Sequence, residues 1–381
     1  MRFLTSFFPV LSLLLVLVGT APPTYAQYAS ENGSALNLTI RHVGISIGDS
    51  ERTTGLRLNY RDRHLRRVTG VNLTLWRPYD DAEGTINGIA LGLPLTGGGR
   101  LRGIGLAAGL SAQTAMDGIF AAPLGLGSGT HLRGIAVGGL GLGTGERMQG
   151  LMIGGLGAGA GENAEGVLLG GLGVGAGGTA NGVMMGGLGA GAGEHANGLL
   201  LGGLGAGAGE TVTGVLVGGA GAGAGKNATG LLIGGLAAGA GEHVTGLLAG
   251  GLGAGAGDTL NGISLSLLGV GAGDRLNGIG IAGAGIGAGD QFNGIGLAGI
   301  GIGSPNVTGL TIAGGYTRIE DGSLRGVSVS AYNDIRGTQR GLTIGLYNYT
   351  RHLDGVQIGL LNMARNNPSW ARILPVLNLN L

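Results

Sequence analysis

Glycine recurs at every sixteenth position from Gly118 to Gly294, and each of these glycines opens nearly the same phrase. The unit from Gly198 to Thr213 reads G-L-L-L-G-G-L-G-A-G-A-G-E-T-V-T. A fixed period of this length marks a repeat architecture, in which a single unit buries little and stability comes from stacking on its neighbours. The same anchor continues outward at looser spacing. Gly44, Gly55, Gly70, Gly88 and Gly103 precede the regular run, and Gly309, Gly326, Gly341 and Gly355 follow it, giving twenty-one anchors in all.

Counted from an anchor as position 0, positions 1 and 3 are aliphatic and positions 4 and 5 are mostly a glycine pair. Positions 6, 8 and 10 carry Leu, Ala or Val between glycines, and positions 12 to 15 carry turn chemistry such as Glu194-His-Ala-Asn. Two short strand segments with a glycine corner and a polar turn fit this phrase. A helix does not fit, because a sixteen-residue period drifts around a 3.6-residue turn and each interior glycine costs about 1 kcal/mol against alanine. The outer units alternate more strictly, as in Gly326-Val-Ser-Val-Ser-Ala-Tyr and Gly341-Leu-Thr-Ile-Gly-Leu-Tyr. That alternation is read as apolar in, polar out.

The expected fold is an all-β repeat protein, a β-solenoid-like stack of sixteen-residue glycine-rich units. In it positions 1, 3, 6, 8 and 10 point inward, and an apolar stripe at position 2 (Leu168, Met184, Leu200, Leu216, Leu232 and Leu248) points outward. The alternative is an antiparallel β-meander closed as an outer-membrane-type barrel. The short, uniform turns and the lack of polar residues for a watery lumen favour the solenoid.

Residues 1–26 read as a signal peptide, with Arg2, an apolar run from Phe7 to Val18 and a small-residue end at Ala26. The remaining 27–381 form a single β-repeat array. Residues 27–117 hold the irregular N-terminal repeats, 118–308 the regular ones, and 309–381 the irregular C-terminal repeats and cap. The chain has no cysteine, so no disulfide framework holds it. Charged residues are 11% of the chain and the net charge is +1, which supplies no basic field for nucleic acid. The arginines between Arg41 and Arg77 are interleaved with acids and read as a solvated, mixed-charge face.

No catalytic, cofactor-binding or metal-ligating residue is assigned, and no cofactor is expected. Gly221-Ala-Gly-Ala-Gly-Lys226-Asn227 departs from a phosphate-binding loop at both ends. Position 12 is acidic at Glu146, Glu162, Glu194, Glu210, Glu242, Asp258, Asp274 and Asp290, which reads as a solvated edge, with calcium the rival reading. His131, His195 and His243 share position 13 but never adjoin. Glu320, Asp321 and Asp334 read as a solvated turn. Aromatic residues gather toward both ends, where bulk could plug an open coil.

The units Gly341-Leu-Thr-Ile-Gly-Leu-Tyr-Asn-Tyr and Gly355-Val-Gln-Ile-Gly-Leu-Leu-Asn-Met resemble bacterial exported surface-repeat proteins built from G-[LV]-x-I-G-L-x-N units. The resemblance implies export and placement at the cell surface or outer membrane, with the periplasm or the medium as alternatives. It implies no chemistry. The expected function is therefore that of a non-enzymatic structural or surface-interaction protein of the bacterial envelope, its partner unknown. The alternative is an outer-membrane barrel acting as a pore.

Overall fold

The computed structural model describes residues 35–76 and 83–380; the signal-like segment 1–26 lies outside them. Apart from one short 3-10 turn at Ser369–Ala371, all the regular elements are β-strands. Two compact units, Met1–Gly138 and Gly139–Leu381, share one plan.

In Gly139–Leu381 each regular coil carries two strands. A long strand such as His195–Gly202 runs from position 13 through the anchor to position 4, and a short one such as Gly205–Ala208 covers positions 7 to 10. Each pairs in parallel with its equivalent one coil on: Gly198 with Gly214, Leu200 with Leu216, Gly205 with Gly221. Positions 5–6 and 11–12 make the two turns between them. A parallel, in-register stack is a β-solenoid. The antiparallel barrel weighed as the alternative is ruled out by this pairing, since membrane barrels are built from antiparallel neighbours.

In Met1–Gly138 the strands Val43–Gly48, Arg52–Asn59, Arg67–Thr74 and the start of Thr85–Ala122 pair in parallel in turn. Gly44 pairs with Gly55, Gly55 with Gly70 and Gly70 with Gly88, although their sequence spacing varies. The extra residues are absorbed in the turns, so the anchors stay in register. All twenty-one anchors have φ between +110° and +154°. A Cβ on Gly214 would also fall onto the carbonyl oxygen of Gly198. Conformation and close backbone approach both demand glycine at this row.

The interior is filled from positions 14, 2, 8 and 10. Val212, Leu200, Ala206 and Ala208 are at most 8% exposed, whereas Leu204 at position 6 is well exposed. The inward assignment therefore holds for positions 8 and 10 and is reversed for 1, 3 and 6. The row at position 2, expected outside, is the core. Both faces of the long strand are aliphatic, so alternation carries no phase there, and a slip of one residue exchanges every side chain between faces.

Volume is conserved from coil to coil. Leu200 at position 2 sits with Ala206 at position 8; further along, Gly280 and Gly296 take position 2 while Ile286 and Ile302 take position 8. A Cβ on Gly296 would lie 2.9 Å from Phe292 and 3.0 Å from Ile302, so the larger neighbours have taken the missing side chain's space.

The outer coils invert the expected polarity. Ser328, Asn333, Gln339, Thr343, Asn348, Gln357 and Asn362 are fully buried, while Ile344, Leu346, Ile358 and Leu360 face outward. Stacking explains the inversion, because each amide meets its own kind one coil away. Asn333 Nδ2 donates to Asn348 Oδ1 at 2.7 Å, and Asn348 Nδ2 donates to Asn362 Oδ1 at 2.7 Å. Ser328 Oγ donates to Asn333 Oδ1 at 2.7 Å. Buried polar groups satisfied in this way escape the desolvation penalty.

Near the other end the interior is ionic. Arg57, Asp62 and Asn72 are fully buried. Arg57 Nη1 pairs with Asp62 and donates to Asn72 Oδ1 at 2.9 Å, its Nη2 donates to Asp49 at 3.2 Å, and its Nε donates to the Ser50 carbonyl at 3.0 Å. Asp62 also accepts from Asn59 at 2.8 Å and from Thr74 at 2.7 Å. The solvated face read from this arginine-rich stretch is thus, in part, core.

Antiparallel strands close the described array. Ala35–Ile40 turns back on Val43–Gly48 through Arg41 and His42, both at positive φ, as a tight hairpin requires. Ile373–Asn380 returns along Gly355–Met363 and carries Pro375, a residue that lacks a donor and blunts an edge. The aromatics expected to plug the ends lie outside instead: Trp370 is 78% exposed and Tyr60 stacks on Trp76 at 6.4 Å.

Candidate functional site

Surface chemistry is distributed by repeat position. The acidic row occupies the turn at positions 11–12, where one coil's backbone holds the next: Glu162 N–H donates to the Glu146 carbonyl at 2.9 Å and Asp258 N–H to the Glu242 carbonyl at 2.8 Å. The carboxylates at this row are exposed or half-buried. Lys226 interrupts them and donates to Glu210 Oε1 at 2.7 Å. That hydrogen bond, reinforced by the ammonium charge, lowers the Glu210 pKa and raises that of Lys226. Both groups are open to solvent, so the pair is screened.

The sequence resembling a phosphate loop resolves into the short strand Gly221–Ala224 followed by the turn with Lys226. Its ammonium is engaged by Glu210 and opens no helix. His195 Nδ1 lies 2.7 Å from Thr211 Oγ1, and His131 Nε2 lies 3.5 Å from Asp117. Among the described residues no three His, Asp or Glu side chains converge in a way that could hold a metal ion. Of the three C-terminal acids, Glu320 meets Arg318 at 3.1 Å and Asp321 meets Arg351 at 2.7 Å in the open. Asp334 is buried and meets Arg336 at 3.1 Å, so it does not belong to a solvated turn.

What the structure assembles on the outside is apolar. Positions 1 and 3 place Ile, Leu and Val along the outer face of the long strands, and position 6 places a leucine on the corner in most regular coils. In the C-terminal coils Tyr332 and Tyr347 take over position 6, stacked at 5.2 Å, and burial raises the Tyr332 pKa. Two shallow apolar hollows open beside the corner. One is lined by Ile233, Ala249, Leu265 and Ile281 and the other by Ile344, Leu346, Ile358 and Leu360. The first exists because Ala249 is small where its neighbours are large.

The residues that reading for chemistry passed over are Asn333, Asn348 and Asn362. A signal was available, since asparagine closes the phrase at position 7 in three successive coils. Its role is internal pairing rather than contact with a ligand. Comparison with known proteins finds no matching family, no curated relative and no matching solved structure.

Proposed function

We propose that the chain is an exported, non-enzymatic structural or surface-interaction protein of the bacterial envelope. The observation that carries this reading is the outer surface. Aliphatic side chains recur exposed or half-buried at positions 1, 3 and 6 on coil after coil, a regular apolar face of the kind that marks contact surfaces. Such a surface is suited to contact, and its repetition suits an extended contact rather than a pocket. The chemistry of residues 1–26 supports export. The pore alternative depended on a barrel and falls with it.

Fractionation tests this reading. Cells expressing the chain are separated into cytoplasm, periplasm, membranes and medium, and a chain lacking residues 1–26 is run beside it. The full chain is expected outside the cytoplasm and, where it is membrane-associated, released by carbonate or urea. Retention of the full chain in the cytoplasm overturns the reading.

A further inference from the structure

Within Gly139–Leu381, the outer face of the short strands has two features the chain itself does not account for. Position 6 carries an exposed aliphatic side chain in nine of the eleven coils from Leu140 to Ile300, each between 49 and 59% exposed, with Ala220 and Ala284 at the other two. Beside this ridge, outward positions 7 and 9 are glycine from Gly141 to Gly303 in every coil except at Ala237. None of these glycines has the left-handed backbone of the anchors. A Cβ at Gly253, Gly271 or Gly287 would meet nothing within 4 Å, and at Gly173 or Gly205 its nearest neighbour would be 3.6 or 3.9 Å away. Ala237 shows that the strand accepts a side chain there.

At Gly239 and Gly301 a Cβ would meet a neighbour at 2.5 Å, and at Gly207 and Gly255 at 3.0 Å, so the chain itself asks for glycine there. Over most of the floor neither conformation nor internal packing does, and because glycine weakens a strand, its persistence at those positions has its reason outside the chain. We infer that this face packs against the same face of a second copy, each leucine ridge lying on the other's glycine floor. Three features select a second copy. The face repeats every ~4.8 Å, and only an identical stack offers the same rung at every step. Ridge and floor are complementary within one surface, as a two-fold interface requires. A two-fold axis parallel to the stack sets each ridge over the partner's floor and carries the two acidic turn rows to opposite borders, away from each other. The area suffices: about six residues of width by eleven coils gives ~1,000 Å² per copy, against about 800 Å² per partner in a stable complex. The inference goes beyond the proposed function and does not depend on where the chain is delivered.

Sedimentation equilibrium of the purified full chain at micromolar concentration is expected to give twice the chain mass. Gly253→Val, Gly271→Val and Gly287→Val together fill open space on the floor and are expected to give a monomer that melts no lower than the parent. Leu188→Glu with Leu204→Glu, on an exposed turn, is expected to give the same monomer from the ridge side, and carries the test if the valine variant fails to fold. A parent chain that is monomeric throughout overturns the inference, as does a folded variant of either kind that stays dimeric. A monomeric parent that floats with lipid vesicles, and loses this with the leucine variant, overturns it in favour of a bilayer as the occupant.

Discussion

Around Leu200 the coil interior is Leu, Val and Ala, on alternating long and short strands; around Asn348 it is Asn, Gln, Ser and Thr, on the unbroken strand Ser323–Ala364, with the same positive-φ anchor. In a parallel in-register stack a side chain lies beside its counterpart one coil away, so an amide finds both donor and acceptor without leaving the column. Polarity is then no obstacle to burial, provided the column is unbroken. The two interiors differ in how they fail. The apolar one tolerates exchange of volume between positions, as at Gly296 and Ile302, whereas the asparagine column of the polar one links its members by hydrogen bonds from Asn333 to Asn348 to Asn362, and Gln357 Oε1 beside it stays buried without a partner.

The most severe test of this contrast is Arg57→Met, which leaves Asp62 buried without its cation. The expected loss is about 3–5 kcal/mol. It is read by urea unfolding of a Trp370→Phe background, in which Trp76 is the remaining tryptophan and sits near the altered coils. Adding Asp62→Leu is expected to recover much of the loss, because the stranded charge goes with it. Asn348→Leu comes next. It removes the partner of Asn333 and of Asn362, at about 1–3 kcal/mol for each orphaned buried group. Replacing all three asparagines with leucine is expected to cost less than three times the single change, and a strictly additive loss would break the idea that the column acts as a unit.

The apolar interior is expected to be forgiving. Leu200→Met keeps volume and polarity and should cost less than about 1.5 kcal/mol in denaturant midpoint. Lys226→Met is expected to leave the melting temperature unchanged, since its ion pair is fully solvated. Its readout is the Glu210 carboxyl, whose NMR titration should move up toward the ordinary carboxylate range. With Glu210 held low, the pair contributes above the ordinary carboxylate pKa and is lost as pH falls through the lowered one. A shift the other way would mean that Lys226 is not its partner in solution.

Much of the architecture was legible in the residues alone. Period, anchors, corner and turn positions follow from glycine placement and turn chemistry, and the parallel stack follows from uniform turns. Phase was not legible, because positions 1, 2 and 3 are all aliphatic in the middle coils and only the choice of positions 2 and 14 as core settles which face is which. In the outer coils the alternation was clear but its sense was reversed. The rule that polar residues face water assumes a buried amide has no partner, and Asn333, Asn348 and Asn362 show that a repeat supplies one. Arg57 hid in the same way among exposed arginines. At the candidate interface, the floor glycines and the anchor glycines are the same letter. Only backbone angle and surrounding space show that Gly214 is required by its own chain and Gly271 is not.

The anchor row has a last consequence. What rests on Gly198 is another glycine with nearly the same flanks, and a segment cut out between two successive anchors leaves ends that meet as though nothing had been removed. Length in such a chain is quantised. Near-identical neighbouring repeats also invite misaligned recombination, and here its products would remain foldable. A chain built this way can lose or gain a whole coil and keep its surface pattern.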